Sequence, residues 1–333
     1  MSKVFYRSMA IVGVLLAGLI LGFLLHNPVR KALFGGDCPP HETSFEVSHQ
    51  RGYRYINPLL DFEQQYKGLP HVKSEINDYI AKNKKDGRLR DISVYFRQLN
   101  TGLTFSINDD FKFSPASLLK VPLMIACLKQ AEIDGAFLSK RIKFDIIPDS
   151  LTVPNFRYGE PIEYGKTYTV EELIIRLIIN SDNHAGMLLL ENLDSRILEK
   201  VYTDLDVAMP WLPGMENYMT VKEYSKFIRI LFNSTYLNRD MSEFALYIMS
   251  LSHFDKGIVQ GVGQGITVSH KFGERDIDGV RQLHDCGIIY FESAPCLICI
   301  MTRGNNFEEL EDVIADIASI IKKEVDTQRQ NGK

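Results

Sequence analysis

Ser117-Leu-Leu-Lys120 pairs a hydroxyl with an amine at a spacing that could do acyl transfer. A serine hydroxyl is a poor nucleophile at neutral pH, because its proton leaves only when a base lies within hydrogen-bond reach. On a helix, positions i and i+3 share a face, so Lys120 is expected beside the Ser117 oxygen. A serine at the start of that helix would also gain from the macrodipole, and its own N–H, unpaired in the first turn, could face an oxyanion. The amine must be neutral to accept a proton, a state favoured by burial or by a second nearby cation. Taken alone the spacing is common, and it equally describes an N-cap serine followed by a solvated lysine.

Two further constellations narrow the reading. Ser181-Asp-Asn183 interrupts two apolar helical stretches, where a bland connecting turn would otherwise be expected. Lys271-Phe-Gly273 falls in a strand pattern, where alternation can aim the lysine at a site while the glycine permits close backbone approach of a bound acyl group. Other chemistry fits less well. His184, His270 and His284 invite a metal site or a Ser-His-Asp triad, but His284 and Asp285 are strand neighbours that point to opposite faces. Gly261-Val-Gly-Gln-Gly265 has neither the preceding strand nor the following helix of a phosphate-binding loop, and reads as a flexible turn before the Lys271 strand.

In this order, S-x-x-K, S-D-N and a K-T-G-like triplet resemble the signature set of class A β-lactamases and penicillin-binding proteins. The resemblance runs from about Leu103 to the C-terminal helix and is closest over Thr169 to Leu190, TVEELIIRLIINSDNHAGMLLL. It implies a serine hydrolase that forms an acyl-Ser117 intermediate with Lys120 as base, and a relay through Ser181 to the leaving group. It further implies that Asn183 binds the substrate's side-chain amide and orients Lys120, and that Lys271 holds the positive potential of the site. The N–H groups of Ser117 and Glu274 would form the oxyanion hole, beside Gly273. Arg281 would anchor a substrate carboxylate, or else be a solvated strand charge. The expected partner is a small molecule, a β-lactam or a peptidoglycan peptide, with no metal and no organic cofactor.

Two departures from the family pattern bear on turnover. The chain between Asn183 and the helix expected from Thr220 is short for the loop that carries the family's deacylating glutamate, and Glu216 in Pro213-Gly-Met-Glu-Asn217 is the one substitute. Phe272 stands where the family has a hydroxyl residue. Weak deacylation is therefore expected. The alternatives are a non-hydrolytic penicillin or wall-peptide sensor and a D,D-peptidase-like acyltransferase.

The elements that must position these residues follow from periodicity. A helix is predicted over Pro70 to Lys84, and two short strands, Asp91 to Arg97 and Leu103 to Asn108, around the turn signal Asn100-Thr-Gly102. Ser117 to about Gly135 reads as a buried central helix, Val170 to Leu193 as two helical segments, and Thr220 to Asn233 as an amphipathic helix. Strands return at Val268 to Gly273, Arg281 to Tyr290 and Cys296 to Thr302, before a last helix over Asn306 to Glu324. Strands at both ends with helices between imply an α+β fold: one antiparallel sheet built from both ends of the domain, packed with helices, with an all-helical lobe inserted.

With 333 residues, 45% hydrophobic and 24% charged, the chain can bury a large core, and a net charge of −4 leaves no basic surplus for nucleic acid. Residues 9–25 form an unbroken apolar run after Lys3 and Arg7, read as a transmembrane anchor or signal segment. The expected order is a cytoplasmic N-terminus (1–8), the membrane segment (9–25), a polar linker (26–58) and a hydrolase domain (59–328). This places a single-pass, monomeric enzyme at the cell membrane with its catalytic domain outside. Of the five cysteines, Cys296 and Cys299 sit in an apolar run and are expected in the core, and the disulfide pairing is left open.

Overall fold

The computed structural model describes residues 70–146, 154–210, 217–292 and 294–331. The segments read as N-terminus, membrane anchor and linker lie outside the described residues, as does Glu216. Among the described residues no helix is long and apolar enough to cross a membrane.

Helix α1 (Pro70–Lys85) precedes the hairpin β1 (Asp91–Gln98) and β2 (Thr104–Ile107). Three strands from the other end of the domain follow much later: β5 (Val268–Ile277), β6 (Val280–Tyr290) and β7 (Pro295–Gly304). They join the hairpin in one antiparallel sheet of order β2-β1-β7-β6-β5, which leaves β5 on an edge. Strand alternation sorts the side chains into two cores. Ile92, Val94 and Phe96 of β1 and Ile298 and Ile300 of β7 pack with α1 and the C-terminal helix α9 (Phe307–Asn331). Tyr95, Leu297, Cys299 and Met301 face the helical lobe. Both faces are thus covered, which is why the central strands read as continuous apolar runs rather than alternating ones.

The lobe inserted between β2 and β5 contains α2 (Lys120–Ile133), α3 (Val170–Ile179), α4 (Asn183–Asn192), α5 (Ser195–Asp204), α6 (Val221–Phe232) and α7 (Arg239–Ser250), with a small ribbon of β3 (Arg141–Lys143) and β4 (Thr167–Thr169). Helix α2 is buried on nearly every side, Val121 through Leu128 all lying in the core. Thr169 and Thr220 start α3 and α6 with full capping boxes, each hydroxyl accepting from the backbone N–H of a glutamate three residues on.

Two expectations are corrected and a pairing left open is filled in. The predicted helix from Ser117 begins as a 3-10 turn, Ala116–Leu119, and becomes α-helical only at Lys120. Gly261 is not in a flexible turn: it lies in the short helix α8 (Ile258–Val262), where a Cβ would come 2.0 Å from the Ala315 carbonyl oxygen of α9. Cys299 is buried as expected, but it is paired across the strands with Cys286 in a disulfide. Cys296, three residues away on β7, faces the opposite core.

Candidate active site

The 3-10 turn that carries Ser117 is fastened from several sides. The Ser114 N–H donates to Gln282 Oε1 (3.1 Å), its hydroxyl accepts from Arg275 Nη1 (2.7 Å), and its carbonyl accepts from His284 Nε2 (2.8 Å). His284 Nδ1 accepts from the Thr302 N–H (3.2 Å), which fixes the tautomer with its proton on Nε2. Burial pushes this imidazole down to about 4, so it is neutral and serves as a positioning group. Tyr224 of α6 donates to the Leu118 carbonyl (3.2 Å). From these β6 and α6 groups the chain enters the turn through Ala116, held at a φ of 48°, a conformation that costs a non-glycine residue about 1–2 kcal/mol. In a 3-10 turn, side chains three apart eclipse one another, so Ser117 and Lys120 stand on one edge, Ser117 half-buried and Lys120 buried.

Lys120 Nζ donates to Ser181 Oγ (2.9 Å), to the Ser181 carbonyl (2.5 Å) and to Asn183 Oδ1 (2.7 Å). The spacing predicts the amine at the Ser117 oxygen. Among the described hydrogen bonds the three ammonium donors instead go across to the Ser181–Asn183 segment. Loss of one proton would free a lone pair. Burial lowers the Lys120 pKa to about 7, against the opposing fields of Asp182 and Glu274. The amine is therefore poised to accept a proton near neutrality.

Ser181 and its neighbours occupy a tight link between α3 and α4. Ser181 has a φ of 55°, and Asp182 caps α4 by accepting from the N–H groups of His184 (2.8 Å) and Ala185 (3.1 Å). The cap turns Ser181 Oγ toward a second lysine: Lys271 Nζ of β5 donates to it at 3.0 Å. One hydroxyl thus bridges two buried amines. Burial, with the field of Lys120, holds Lys271 well below the ordinary lysine range.

Gly273 sits where β5 meets the turn. A Cβ there would lie 2.7 Å from the Pro115 carbonyl oxygen and 3.1 Å from the Leu118 nitrogen. The close approach that demands glycine is therefore to the Ser117 turn itself, not to an acyl group as the sequence suggested. Glu274 follows at once, its carboxylate accepting from the Asn155 N–H (2.7 Å) and side-chain amide (2.5 Å). Arg281 is not gathered into this group. Its guanidinium bonds Asp276 (2.9 Å) and the Asn305 carbonyl (2.9 Å) and lies over the Phe307 ring, which favours the solvated-strand-charge reading. Phe272 is buried, stacked on Phe254 with ring centroids 4.4 Å apart.

A model of the β-lactamase enzyme family matches residues 71–325. The chain belongs to this family. VEB-1, a β-lactamase of Pseudomonas aeruginosa, is 24% identical over 251 residues, 69% of this chain and 83% of that protein. Among solved structures, PBP-A superposes with a TM-score of 0.66 at 18% identity, covering 80% of this chain and all of the other. A β-lactamase from Chitinophaga pinensis does so with 0.66 at 21% identity, over 76% and 99% of the two chains. These likenesses establish the fold of the β-lactamase family for this chain, with the Lys120, Ser181 and Lys271 cluster where the sheet edge meets the helical lobe.

Sequence reasoning missed Ser114, Gln282, Arg275 and Tyr224 as positioning residues. Their bonds at and just before the nucleophile turn join residues 106 to 168 positions apart and carry no local pattern. His284 was noticed only as a candidate for a metal site or a Ser-His-Asp triad.

Proposed function

We propose that this β-lactamase family member is a serine hydrolase of β-lactam or related cell-wall amides, working through an acyl-Ser117 intermediate that is released slowly. The observation that carries this reading is the chain Lys120 Nζ, Ser181 Oγ, Lys271 Nζ beside the Ser117 turn, with Lys120 lowered to about 7. Ser117 Oγ adds to the amide carbonyl carbon as its proton passes to Lys120 Nζ. The C–N bond then breaks while Ser181 Oγ delivers a proton to the leaving nitrogen and takes one from Lys120. The N–H groups of Ser117 and Glu274 would hold the oxyanion, a donor pair whose members are worth about 3 kcal/mol each in such sites. Water then adds to the ester, releases the acid and restores the Ser117 hydroxyl.

Slow release is inferred from the sequence, which supplies only Glu216 as a base for that water. PBP-A, also among the similar solved structures, has a variant described as an acyl-enzyme complex with penicillin G, which is consistent with an acyl-serine step in this fold. The Cys286–Cys299 disulfide supports a position outside the membrane, since such bonds persist in oxidising compartments. In this reading residues 9–25 tether a single-pass, monomeric enzyme whose catalytic domain faces outward.

A chromogenic cephalosporin distinguishes the possibilities. The expected trace on the full-length protein is a burst of about one equivalent followed by a slow steady phase, as for a trapped acyl-enzyme. A linear trace without burst would overturn slow deacylation. A burst with no later turnover would move the protein to the sensor reading.

A further inference from the structure

Residues 155–162 cross from one wall of the reactive cluster to the other. On the β5 side the Asn155 N–H and side-chain amide both donate to the Glu274 carboxylate (2.7 and 2.5 Å). Phe156 and Tyr158 set their rings edge-on against Phe272, with centroids 6.1 and 5.6 Å away, and both also meet Phe254 edge-on. On the other side the Ile162 N–H donates to Asp182 Oδ2 (2.8 Å), and the Asn180 side chain donates to the Glu160 carbonyl (3.3 Å). The strap thus joins the strand that carries Lys271 to the turn that carries Ser181.

Its two ends are held differently. Ile162 is buried, and its bond goes to a carboxylate that also caps α4. Asn155 is exposed, as are both its bonds, and Phe156 and Tyr158 are only half-buried. Exposed hydrogen bonds and shallow packing open readily, whereas a buried cap does not. Between the ends Gly159 has a φ of 63°, and a Cβ there would lie 2.8 Å from Asn180 Oδ1, so the chain turns closely past the Ser181 link by using glycine. A segment fixed at one end, lightly held at the other and turned on a glycine is built as a hinged flap.

We propose that residues 155–158 are a gate over the acyl-transfer site, latched by Asn155 on Glu274, hinged at Gly159, and lifted from β5 when Ser117 is acylated. The latch occupies a residue that the substrate needs. In the acyl-Ser117 reading, on which this inference rests, the scissile carbonyl oxygen lies about 3 Å from the Glu274 N–H. The groups beside that carbonyl then run along Glu274 and Phe272, against which Asn155, Phe156 and Tyr158 are packed. Strap and substrate therefore compete, and acylation is scaled by the fraction of time the gate stands open. Once the acyl group is in place, the same competition keeps the strap off the strand.

Hydrogen exchange of the full-length protein, free and acylated by excess benzylpenicillin, reads the gate without any variant. Peptides covering residues 155–160 are expected to exchange roughly threefold faster or more in the acyl-enzyme, the opposite of the protection that a segment merely framing the ligand would show. Asn155→Ala and Phe156→Ala each loosen the latched end. Both should raise the second-order rate of Ser117 acylation, followed by intact mass, by roughly three- to tenfold. Slower or unchanged exchange of the strap on acylation, or variants that acylate no faster than the unaltered chain, overturns the gate while leaving the nucleophile intact. Absence of any Ser117 adduct overturns the acyl-serine reading itself, and the gate with it.

Discussion

Lys120 has to be uncharged at neutral pH while buried against a second lysine and a carboxylate-flanked turn, and these neighbours push in opposite directions. Burial wins and lowers it to about 7, so the neutral base exists below that value only as a falling fraction. Acylation of Ser117 is therefore expected to rise with pH and level off above about 7, falling by about tenfold per unit below it. A rate flat between about pH 5.5 and 8.5 would contradict Lys120 as the base. Lys120→Arg keeps the charge but cannot give up a proton, and should slow acylation by about 10²–10⁴-fold while retaining the fold. At this scale the grouping of Lys120, Ser181, Asn183 and Lys271 was legible because the local spacing of each motif marks them. Arg281 was left open between a carboxylate anchor and a solvated strand charge, because its partners, Asp276 and the Asn305 carbonyl, are tertiary choices that spacing does not reveal. Gln282 and His284 act on the Ser114 backbone across the fold, and nothing nearby in the chain announces it.

The elements bring these side chains together by close approach and by caps. Gly273→Ala would drive a methyl group to 2.7 Å from the Pro115 carbonyl, pushing β5 off the nucleophile turn. The expected result is about 1–3 kcal/mol lost from the urea midpoint and acylation slowed by roughly tenfold or more. Gly261→Ala clashes more severely, at 2.0 Å, but with the Ala315 carbonyl on α9 rather than with the nucleophile turn. It should lose at least as much stability, with Ser117 chemistry preserved in the folded fraction. If both variants lose acylation equally, the contact at Gly273 is not specific to the site. Long amphipathic stretches such as α6 were legible from their period, and the polar triplet between α3 and α4 marked their break. Helix α8 was not, because five residues are too few for a periodic signal, and α5 buries only Leu198, Val201 and Tyr202. The positive φ values of Ala116 and Ser181 were invisible as well, since neither residue type favours that region.

The described domain is a sheet built from its own two ends around an inserted lobe. The order of strands and helices along the chain was enough to read that α+β plan. The strand order was not, because β1 pairs with β7 across a separation of some two hundred residues, and only the apolar faces created on folding select that register. The Cys286–Cys299 bridge ties β6 to β7 on the lobe face, across 13 residues of sequence. Opening it, by reductant or in a Cys286→Ala, Cys299→Ala variant, is expected to cost about 3 kcal/mol in chemical denaturation. An unchanged midpoint would mean the bridge adds nothing to a register that the core already holds.

The most direct test of the central claim is intact-mass spectrometry of the full-length protein mixed with a penicillin, followed over time beside Ser117→Ala. The account predicts a mass increase of one opened penicillin on the unaltered chain alone, decaying slowly. An adduct that survives Ser117→Ala, or none on any folded sample, would contradict it.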